Sequence, residues 1–490
     1  MLTQDDPSAD RPPADAGLAK PPLTQARGTN VSPLTSTRVR ALLVLILALA
    51  LVLRLHDYTA APRPSDNVDE LAWAWAGLSL LQDHSPTSWS YLPAYGATFP
   101  LREPDNGRLL PGVHHWLDHP PLFALLIGGF AWLVGERQYS QVSDLAIRLP
   151  VIALSLLTLL LCFLLGRRVL GTAPALLGAA IFAVAPGAVL GSRLVESEAL
   201  LAPMLLLALL LLQRILAREG GRGTVALLLL LCALAPLVKV PGSAFGPIVA
   251  VVLASRGNWR LAGQAVAMSC LGLLAYAWYG LAIDWRQFLA VIEAQSIRHA
   301  GLLSGYQFIS SPSGFSDSAQ LHDGWWMLGW LALAVIAFSR RARGADLLLA
   351  WPLAAFAVTI MLVADPSLVG RYGWYRFAVY PLAYLLAADM VVTTVWRPSL
   401  IRSVLVLAVP GAAATLAWIA GRGPWNPPIL LDLAVLAVVV GACIGARLWV
   451  PAREGWGQRW PQLAIGAGVA VLLLLNTIQS LRLAEIYKFL

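Results

Sequence analysis

Long apolar runs separated by short polar segments make up most of this sequence. The runs are roughly 15 to 22 residues long, the length that an α-helix needs to cross the hydrocarbon core of a bilayer. We do not find the alternation of apolar and polar residues, over segments of about 10 residues, that is typical of outer-membrane strands. The pattern therefore predicts an all-α polytopic membrane protein.

About thirteen of these runs are predicted to span the membrane. They are residues 41–55, 146–165, 173–190, 199–212, 225–238, 242–254, 261–282, 325–338, 345–363, 375–392, 403–420, 429–446 and 463–480. A further apolar segment, residues 120–134, decides the topology, because every later loop changes sides if it crosses the membrane.

The arginines resolve this choice. If residues 120–134 stay on the outer side, the arginine clusters that follow the spans all fall on the inner side, as the positive-inside rule requires. Those clusters lie within 167–168, 214–222, 256–260, 340–343, 397–402 and 447–459. Residues 120–134 are therefore predicted to form a surface-lying or re-entrant helix, with a cytoplasmic amino terminus and an outer carboxyl terminus.

Composition agrees with a membrane protein. Hydrophobic residues make up 58% of the chain and charged residues 13%, whereas soluble proteins carry about 25% charge. The net charge of +8 comes from arginines in loops between apolar runs, so it does not indicate nucleic-acid binding. The four cysteines lie in apolar segments without the spacing of disulfides or zinc ligands.

Asp69 and Glu70 stand directly before an aromatic and apolar stretch in the first long loop. Acids in the first turn of a helix are favoured by the helix dipole, which would explain them without any function. Adjacent acids beside a membrane surface are also typical of sites with perturbed protonation. The two interpretations stay open on spacing alone.

His115, Asp118 and His119 precede Pro120 and Pro121, which preset the first turn of a helix. The amino end of that helix can bind an anion, and His119 is placed to donate to a phosphate oxygen. The three polar side chains are also weak candidates for a divalent metal site. A polar helix start without either role is the third interpretation.

Glu198 lies at the mouth of a predicted span, where an acid is costly unless it is hydrated, paired or functional. The alternative interpretation is that Glu198 is a loop acid paired with Arg193. Lys239 lies between two spans at the outer edge, against the sidedness rule. It either snorkels to the surface or faces a phosphate.

Arg371 and Arg376 open the tenth predicted span, within a segment rich in tyrosine and tryptophan. Two arginines at the rim of a membrane are able to clamp a phosphate with paired hydrogen bonds. An interfacial aromatic belt that carries arginines is the alternative.

In this order the motifs resemble the GT-C glycosyltransferases, in particular the group that contains dolichyl-phosphate-mannose protein mannosyltransferases and the bacterial aminoarabinose transferase of lipid A. The resemblance covers residues 38–282 well and the remainder through the last motif only. It rests on Asp69-Glu70, His119-Pro120-Pro121, Arg148-Leu149-Pro150 through Gly166-Arg167-Arg168, Arg193 with Glu198-Ala199-Leu200-Leu201, Lys239, and the stretch from Arg371 to Pro381.

The resemblance implies a GT-C fold and an inverting sugar transfer from a polyprenyl-phosphate donor to a hydroxyl acceptor. Asp69 would be the general base and Glu70 would orient the acceptor. Glu198 would help to fix the acceptor or a cation. Lys239 would stabilise the leaving phosphate, together with the remaining basic residues of the motifs, His119, Arg371 and Arg376. No cofactor is required by this scheme, although a divalent metal is compatible with it.

These inferences divide the chain into regions. Residues 1–37 form a cytoplasmic tail predicted to be disordered, and residues 38–282 form the catalytic transmembrane module with its outer loop 56–145. An outer loop, 283–324, and the C-terminal helices, 325–490, follow. The site is predicted on the outer face of the plasma (inner) membrane, where nucleotide sugars are lacking and an activated lipid is the natural donor.

Two other functions remain open at this stage. A lipid-linked glycan ligase or polymerase would work on the same face but would depend on arginines. A lipid or solute transporter would place its ionisable residues near the midplane in broken helices. The polar residues here cluster at one rim, which favours surface chemistry.

Overall fold

The computed structural model describes residues 35–63, 67, 69–104, 106–296, 301–311, 313–314, 320–338, 344–366, 369, 372–419 and 459–486. Helices dominate this part of the chain. They are α1 (Ser36–Leu55), α2 (Asp69–Asp83), α3 (Pro121–Leu133), α4 (Asp144–Val169), α5 (Thr172–Val184), α6 (Pro186–Gly191), α7 (Glu198–Leu216), α8 (Arg222–Val238), α9 (Phe245–Ala254), α10 (Trp259–Ser296), α11 (Leu302–Ser310), α12 (Gly324–Phe338), α13 (Gly344–Val363), α14 (Tyr380–Trp396), α15 (Leu400–Ile419), α16 (Arg459–Leu481) and α17 (Leu483–Ile486).

The predicted all-α membrane fold is confirmed. Four helices of the described ranges are long and apolar enough to cross a bilayer, namely Asp144–Val169, Glu198–Leu216, Trp259–Ser296 and Trp460–Leu481. Shorter apolar helices cover most of the other predicted spans. The predicted span 429–446 lies outside the described residues, so the number of spans stays a prediction.

Two predicted segments differ from the structure. The run 173–190 is broken, because Pro186 begins the new helix α6 after α5 ends at Val184. The predicted outer loop 283–324 is also helical at its start, because a second helical part of α10 continues to Ser296 after a kink at Asp284. The predicted end of the span at residue 282 lies next to that kink. The Asp284 carboxylate accepts hydrogen bonds from the Arg286 and Gln287 amides at 3.1 and 3.0 Å, and so caps the second part.

The first long loop contains a small antiparallel sheet that the sequence analysis did not predict. Its strands are β1 (Thr87–Trp89), β2 (Phe99–Arg102) and β3 (Leu109–His114), with β3 in the centre. A second pair, β4 (Ser313–Gly314) and β5 (Gln320–Leu321), lies after α11. Strands this short carry too few residues for a readable alternation.

Helices α2 and α3 cross at a pair of glycines, which brings their backbones into direct contact. A Cβ atom added at Gly77 would lie 1.8 Å from the carbonyl oxygen of Ala124, and one added at Gly128 would lie 2.2 Å from the amide nitrogen of Leu78. Small residues at helix interfaces permit this close approach. The crossing fixes α2, whose first turn carries Asp69 and Glu70, against α3.

We predict that Gly128→Ala destabilises the protein, because the new methyl group meets backbone atoms that cannot move aside. The expected loss is about 1–3 kcal/mol of unfolding free energy, measured as a lower midpoint of thermal unfolding in detergent. Gly129→Ala is the matched control, since its nearest neighbour is the Leu81 side chain at 3.6 Å. Equal midpoints for the two variants would contradict the proposed crossing.

Candidate active site

The start of α2 is fixed by Asn67. The side-chain oxygen of Asn67 accepts a hydrogen bond from the Asp69 amide at 3.1 Å, and its backbone carbonyl accepts one from the Glu70 amide at 3.2 Å. These bonds satisfy amides that the first turn of a helix leaves open. Asp69 is partly exposed there, whereas Glu70 is buried.

Glu70 is engaged in a buried ion pair. Arg148 of α4 is fully buried and binds both carboxylate oxygens of Glu70, with Nη2–Oε2 and Nε–Oε1 distances of 2.6 and 3.2 Å. Asp144 lies 3.3 Å from the same guanidinium, and the Val195 amide donates to Glu70 Oε1 at 2.9 Å. Paired hydrogen bonds of this kind fix orientation as well as charge. Glu70 therefore joins α2 to α4 and to the loop of Val195.

That loop, residues 192–197, connects α6 to α7 and carries Glu196 in front of Glu198. Its Arg193 is fully buried and donates to the carbonyls of Leu53 and His56 at 2.6 and 2.7 Å. Those carbonyls lie at the end of α1, where a cation is favoured by the helix dipole. The interpretation in which Arg193 pairs with Glu198 is therefore wrong.

Arg54 also binds backbone carbonyls at a helix end. It lies in the last turn of α1 and donates to the carbonyls of Phe182 and Ala183, at 3.0 and 3.1 Å, where α5 ends. It also binds the hydroxyl of Ser155. Two buried arginines thus satisfy backbone carbonyls at helix ends, which fixes the break between α5 and α6 and the loop that follows it.

Glu198 and Lys239, predicted separately, form an ion pair with an Nζ–Oε1 distance of 2.7 Å. Both side chains are buried, so Lys239 does not snorkel to the surface. The cation beside Glu198 is therefore this ammonium. The ring of Tyr375 lies 5.1 Å from Nζ.

The charge of Lys239 is stabilised by its neighbours. Burial lowers the pKa of its ammonium, but the carboxylates of Glu198 and Glu196 outweigh that effect, and the net pKa is raised. Lys239 therefore keeps its positive charge in the neutral range of pH.

Glu196 belongs to the same cluster, although the sequence analysis gave it no role. It is 2% exposed, and its Oε1 accepts a hydrogen bond from the Asn67 side chain at 2.8 Å. The same amide thus contacts the amino end of Asp69 and the carboxylate of Glu196. The available signal in the sequence was a second acid two residues before Glu198, at the same mouth of a span.

His119 lies at the amino end of α3, with its ring stacked on Trp73 of α2. The ring centroids are 4.7 Å apart and the planes differ by 20°. The neighbouring Asp118 accepts hydrogen bonds from the hydroxyls of Ser90 and Tyr95 at 2.6 and 2.7 Å. His115 Nδ1 lies 3.3 Å from the Asp284 carboxylate.

The three weak metal candidates therefore have different surroundings. Within the described ranges, no group of three histidine, cysteine, aspartate or glutamate side chains is arranged to hold a metal ion. Asp118 and His115 are instead engaged by the β-sheet loop and by the kink of α10. A divalent metal therefore stays a prediction, for which the described residues show no group of ligands.

Of the two arginines in the last motif, Arg371 lies outside the described residues. Arg376 is buried, donates to the carbonyl of Gln307 at 2.9 Å and lies over the ring of Trp326 at 5.7 Å. These contacts hold the segment of Tyr375 against α11 and α12. Phosphate binding by Arg376 stays a prediction.

Comparison with known proteins now adds to this geometry. A sequence model of the dolichyl-phosphate-mannose-protein mannosyltransferase family matches residues 118–280. Among solved structures, ArnT from Cupriavidus metallidurans bound to undecaprenyl phosphate is 17% identical, with a TM-score of 0.50 over 89% of this chain and 77% of that one. A search of curated proteins finds no match.

The oligosaccharyltransferase of Archaeoglobus fulgidus is also similar. Its apo form is 13% identical, with a TM-score of 0.51 over 91% of this chain. The form tethered to an acceptor peptide is 14% identical, with a TM-score of 0.52. This chain spans only 56% of the apo oligosaccharyltransferase chain.

This chain has the GT-C glycosyltransferase fold. The family match and the fold together support a multi-pass membrane glycosyltransferase of the GT-C superfamily. The matched segment runs from Asp118 into α10 and so includes Glu196, Glu198 and Lys239.

We predict that Arg148→Met destabilises this GT-C protein strongly, because it leaves Glu70 and Asp144 buried without their cation. Breaking a buried pair from one side costs about 3–5 kcal/mol. The measurement is the free energy of unfolding in detergent.

Arg168→Met is the matched control. The ion pair of Arg168 with Glu219 is largely exposed and is expected to contribute about 0–1 kcal/mol. A loss for Arg148→Met no larger than that of the control would contradict the central role of the buried pair.

Proposed function

We propose that this protein transfers a sugar from a polyprenyl-phosphate donor to a hydroxyl acceptor on the outer face of the membrane. The observation that carries the proposal is the buried Glu198–Lys239 ion pair. The neighbouring Glu196 binds Asn67, which precedes α2. The pair unites the acid and the cation on which the resemblance to lipid-dependent transferases rests. The similar ArnT structure contains undecaprenyl phosphate, which supports a lipid phosphate as donor.

In this proposal Asp69 is the general base. It is the partly exposed acid of the cluster, whereas Glu70 is saturated by Arg148 and the Val195 amide. An accessible carboxylate at the first turn of α2 is placed to accept the proton of an acceptor hydroxyl. We assign Glu70 the task of fixing Asp69 and thereby orienting the acceptor.

The reaction is a direct displacement. Asp69 removes the proton of the acceptor hydroxyl while the acceptor oxygen forms a bond to the anomeric carbon. The bond between that carbon and the phosphate oxygen breaks, and its electron pair leaves with the polyprenyl phosphate. A single displacement inverts the configuration at the anomeric carbon.

Lys239 stabilises the charge that grows on the leaving phosphate. An ammonium has three N–H donors, and Glu198 occupies one direction around it. The remaining donors are available to a phosphate, and the buried surroundings strengthen that interaction. His119, on its stack with Trp73 at the amino end of α3, is proposed to assist at the same phosphate.

We predict that Asp69→Asn abolishes transfer, because the amide keeps the shape of the side chain but cannot accept the proton. The expected loss is about 10²- to 10⁴-fold. A deletion strain is complemented with wild-type or variant full chain, and mass spectrometry of envelope lipids and proteins identifies the glycoform that is missing.

Asp83→Asn, at the exposed carboxyl end of the same helix, is the matched control and should restore the glycoform fully. Full transfer by Asp69→Asn would show that another group is the base. A wild-type chain that moves a solute or lipid without changing any glycoform would overturn the enzyme assignment.

We also predict that Lys239→Met weakens binding of undecaprenyl phosphate, because a charge-assisted hydrogen bond is lost. A loss of about 1.5–3 kcal/mol corresponds to roughly ten- to hundredfold in affinity. Titration of the purified protein in nanodiscs measures the affinity. Arg482→Met removes a partly exposed cation of another ion pair and should leave the affinity unchanged. Undiminished binding by Lys239→Met would contradict the phosphate role.

A further inference from the structure

Glu196 is the acid of the site for which the mechanism above gives no task. Its carboxylate is buried and, among the described residues, accepts its side-chain hydrogen bond from the neutral amide of Asn67. By contrast, Glu70 forms an ion pair with Arg148 at 2.6 Å, and Glu198 forms one with Lys239 at 2.7 Å. In the part of the chain that the structure describes, Glu196 is thus a buried acid that forms no ion pair, a state that strongly disfavours its ionised form.

The neighbours of Glu196 add to this effect. Asp69 approaches from α2 and Glu198 from α7, while Lys239 lies at the end of α8 against the ring of Tyr375. Glu196 therefore has two other carboxylates and one ammonium as charged neighbours. That ammonium is in direct contact with Glu198 at 2.7 Å. Carboxylates that share a buried site cannot all ionise together, so one of them retains a proton.

The shift of the Glu196 pKa agrees with this arrangement of charges. Burial raises the pKa of the Glu196 carboxyl well above its ordinary value, and the negative charge of Asp69 raises it further. Lys239 opposes the rise without cancelling it. Asp69 is more exposed than Glu196, so water can stabilise its ionised form.

Asn67 also links Glu196 to the residue that carries the proposed base. The amide of Asn67 contacts the amino end of Asp69 with its oxygen and Glu196 with its nitrogen. A single planar group therefore links the backbone of Asp69 to the carboxylate of Glu196. An acid in this position influences the charge state of its neighbour more than a distant one does.

We propose that Glu196 is a further residue of the reaction, which retains the shared proton so that Asp69 remains the ionised base. The inference rests on the proposed function, because it assigns Asp69 the role of base. Glu196 keeps its proton throughout the displacement, and the proton of the acceptor goes to Asp69 and then to water. Glu196 is accordingly a positioning and charge-setting residue that does not touch the reacting atoms.

A pH dependence follows from this assignment. Protonation of Asp69 causes the acidic limb of the rate profile. On the alkaline side Glu196 loses its proton above its raised pKa, a second negative charge appears beside Asp69, and repulsion of the donor phosphate lowers the rate. The wild type should therefore lose activity at both ends of the profile.

Glu196→Gln tests the inference, because glutamine resembles the protonated acid and can keep the contact with Asn67. The initial rate of glycoform formation is measured against pH in membranes of the deletion strain that carry the full chain. We expect the rate near neutral pH to fall by less than about tenfold, well short of the loss expected for a missing base. The acidic limb should remain and the alkaline limb should disappear.

Two further variants separate charge from structure. Asn67→Ala breaks the bridge but leaves Glu196 able to titrate, so its rate should fall while its alkaline limb persists. Glu293→Gln makes the same acid-to-amide change on the exposed face of α10 and should behave as wild type. Thermal unfolding midpoints verify that each variant is folded.

Two results would overturn the inference. If Glu196→Gln lost activity as completely as Asp69→Asn, Glu196 would act as an ionised carboxylate. If it kept the alkaline limb of the wild type, Glu196 would not set the charge of the site. Either result leaves the proposed function standing, whereas full transfer by Asp69→Asn removes the base itself.

Discussion

The buried ion pair between Glu70 and Arg148 is the contact on which the arrangement of this site depends. It joins three separate stretches of chain, since Glu70 begins α2, Arg148 lies in α4 and the Val195 amide binds the same carboxylate. Buried charges are tolerated only when they are paired and fully hydrogen-bonded. The pair therefore dictates where the first turn of α2 lies relative to the loop that carries Glu196 and Glu198.

The arginines that bind backbone carbonyls complete this frame. Arg193 caps the end of α1, and Arg54 of α1 caps the end of α5. Each guanidinium replaces the hydrogen bonds that a helix end lacks in an apolar interior. Together with the glycine crossing of α2 and α3, these caps position the polar loops at helix ends.

The sequence predicted the helical architecture well because the length of an apolar run is a local property. Contacts between residues that are distant in the chain could not be predicted in the same way. Glu70 and Arg148 are far apart in the chain, and the sequence around either residue does not indicate that the other is its partner. The same applies to Arg193, which was weighed as a partner of Glu198 although Lys239 holds that position. The order of motifs did indicate that Glu198 and Lys239 belong to one site, but Glu196 differs from a loop acid only through burial and Asn67.

The charge balance of the cluster is compatible with the anionic donor that we propose. Asp69, Glu196 and Glu198 would repel a phosphate if all three were ionised, because Coulomb interactions are strong where water is scarce. The charge of Glu198 is offset by Lys239. In our proposal Glu196 is protonated and adds no charge, so that Asp69 acts as the ionised base. In the proposed reaction the charge of Asp69 removes the proton of the acceptor. Among the described residues, Glu198 is the hydrogen-bond partner of the Lys239 ammonium, and we propose that the other two donors bind the phosphate.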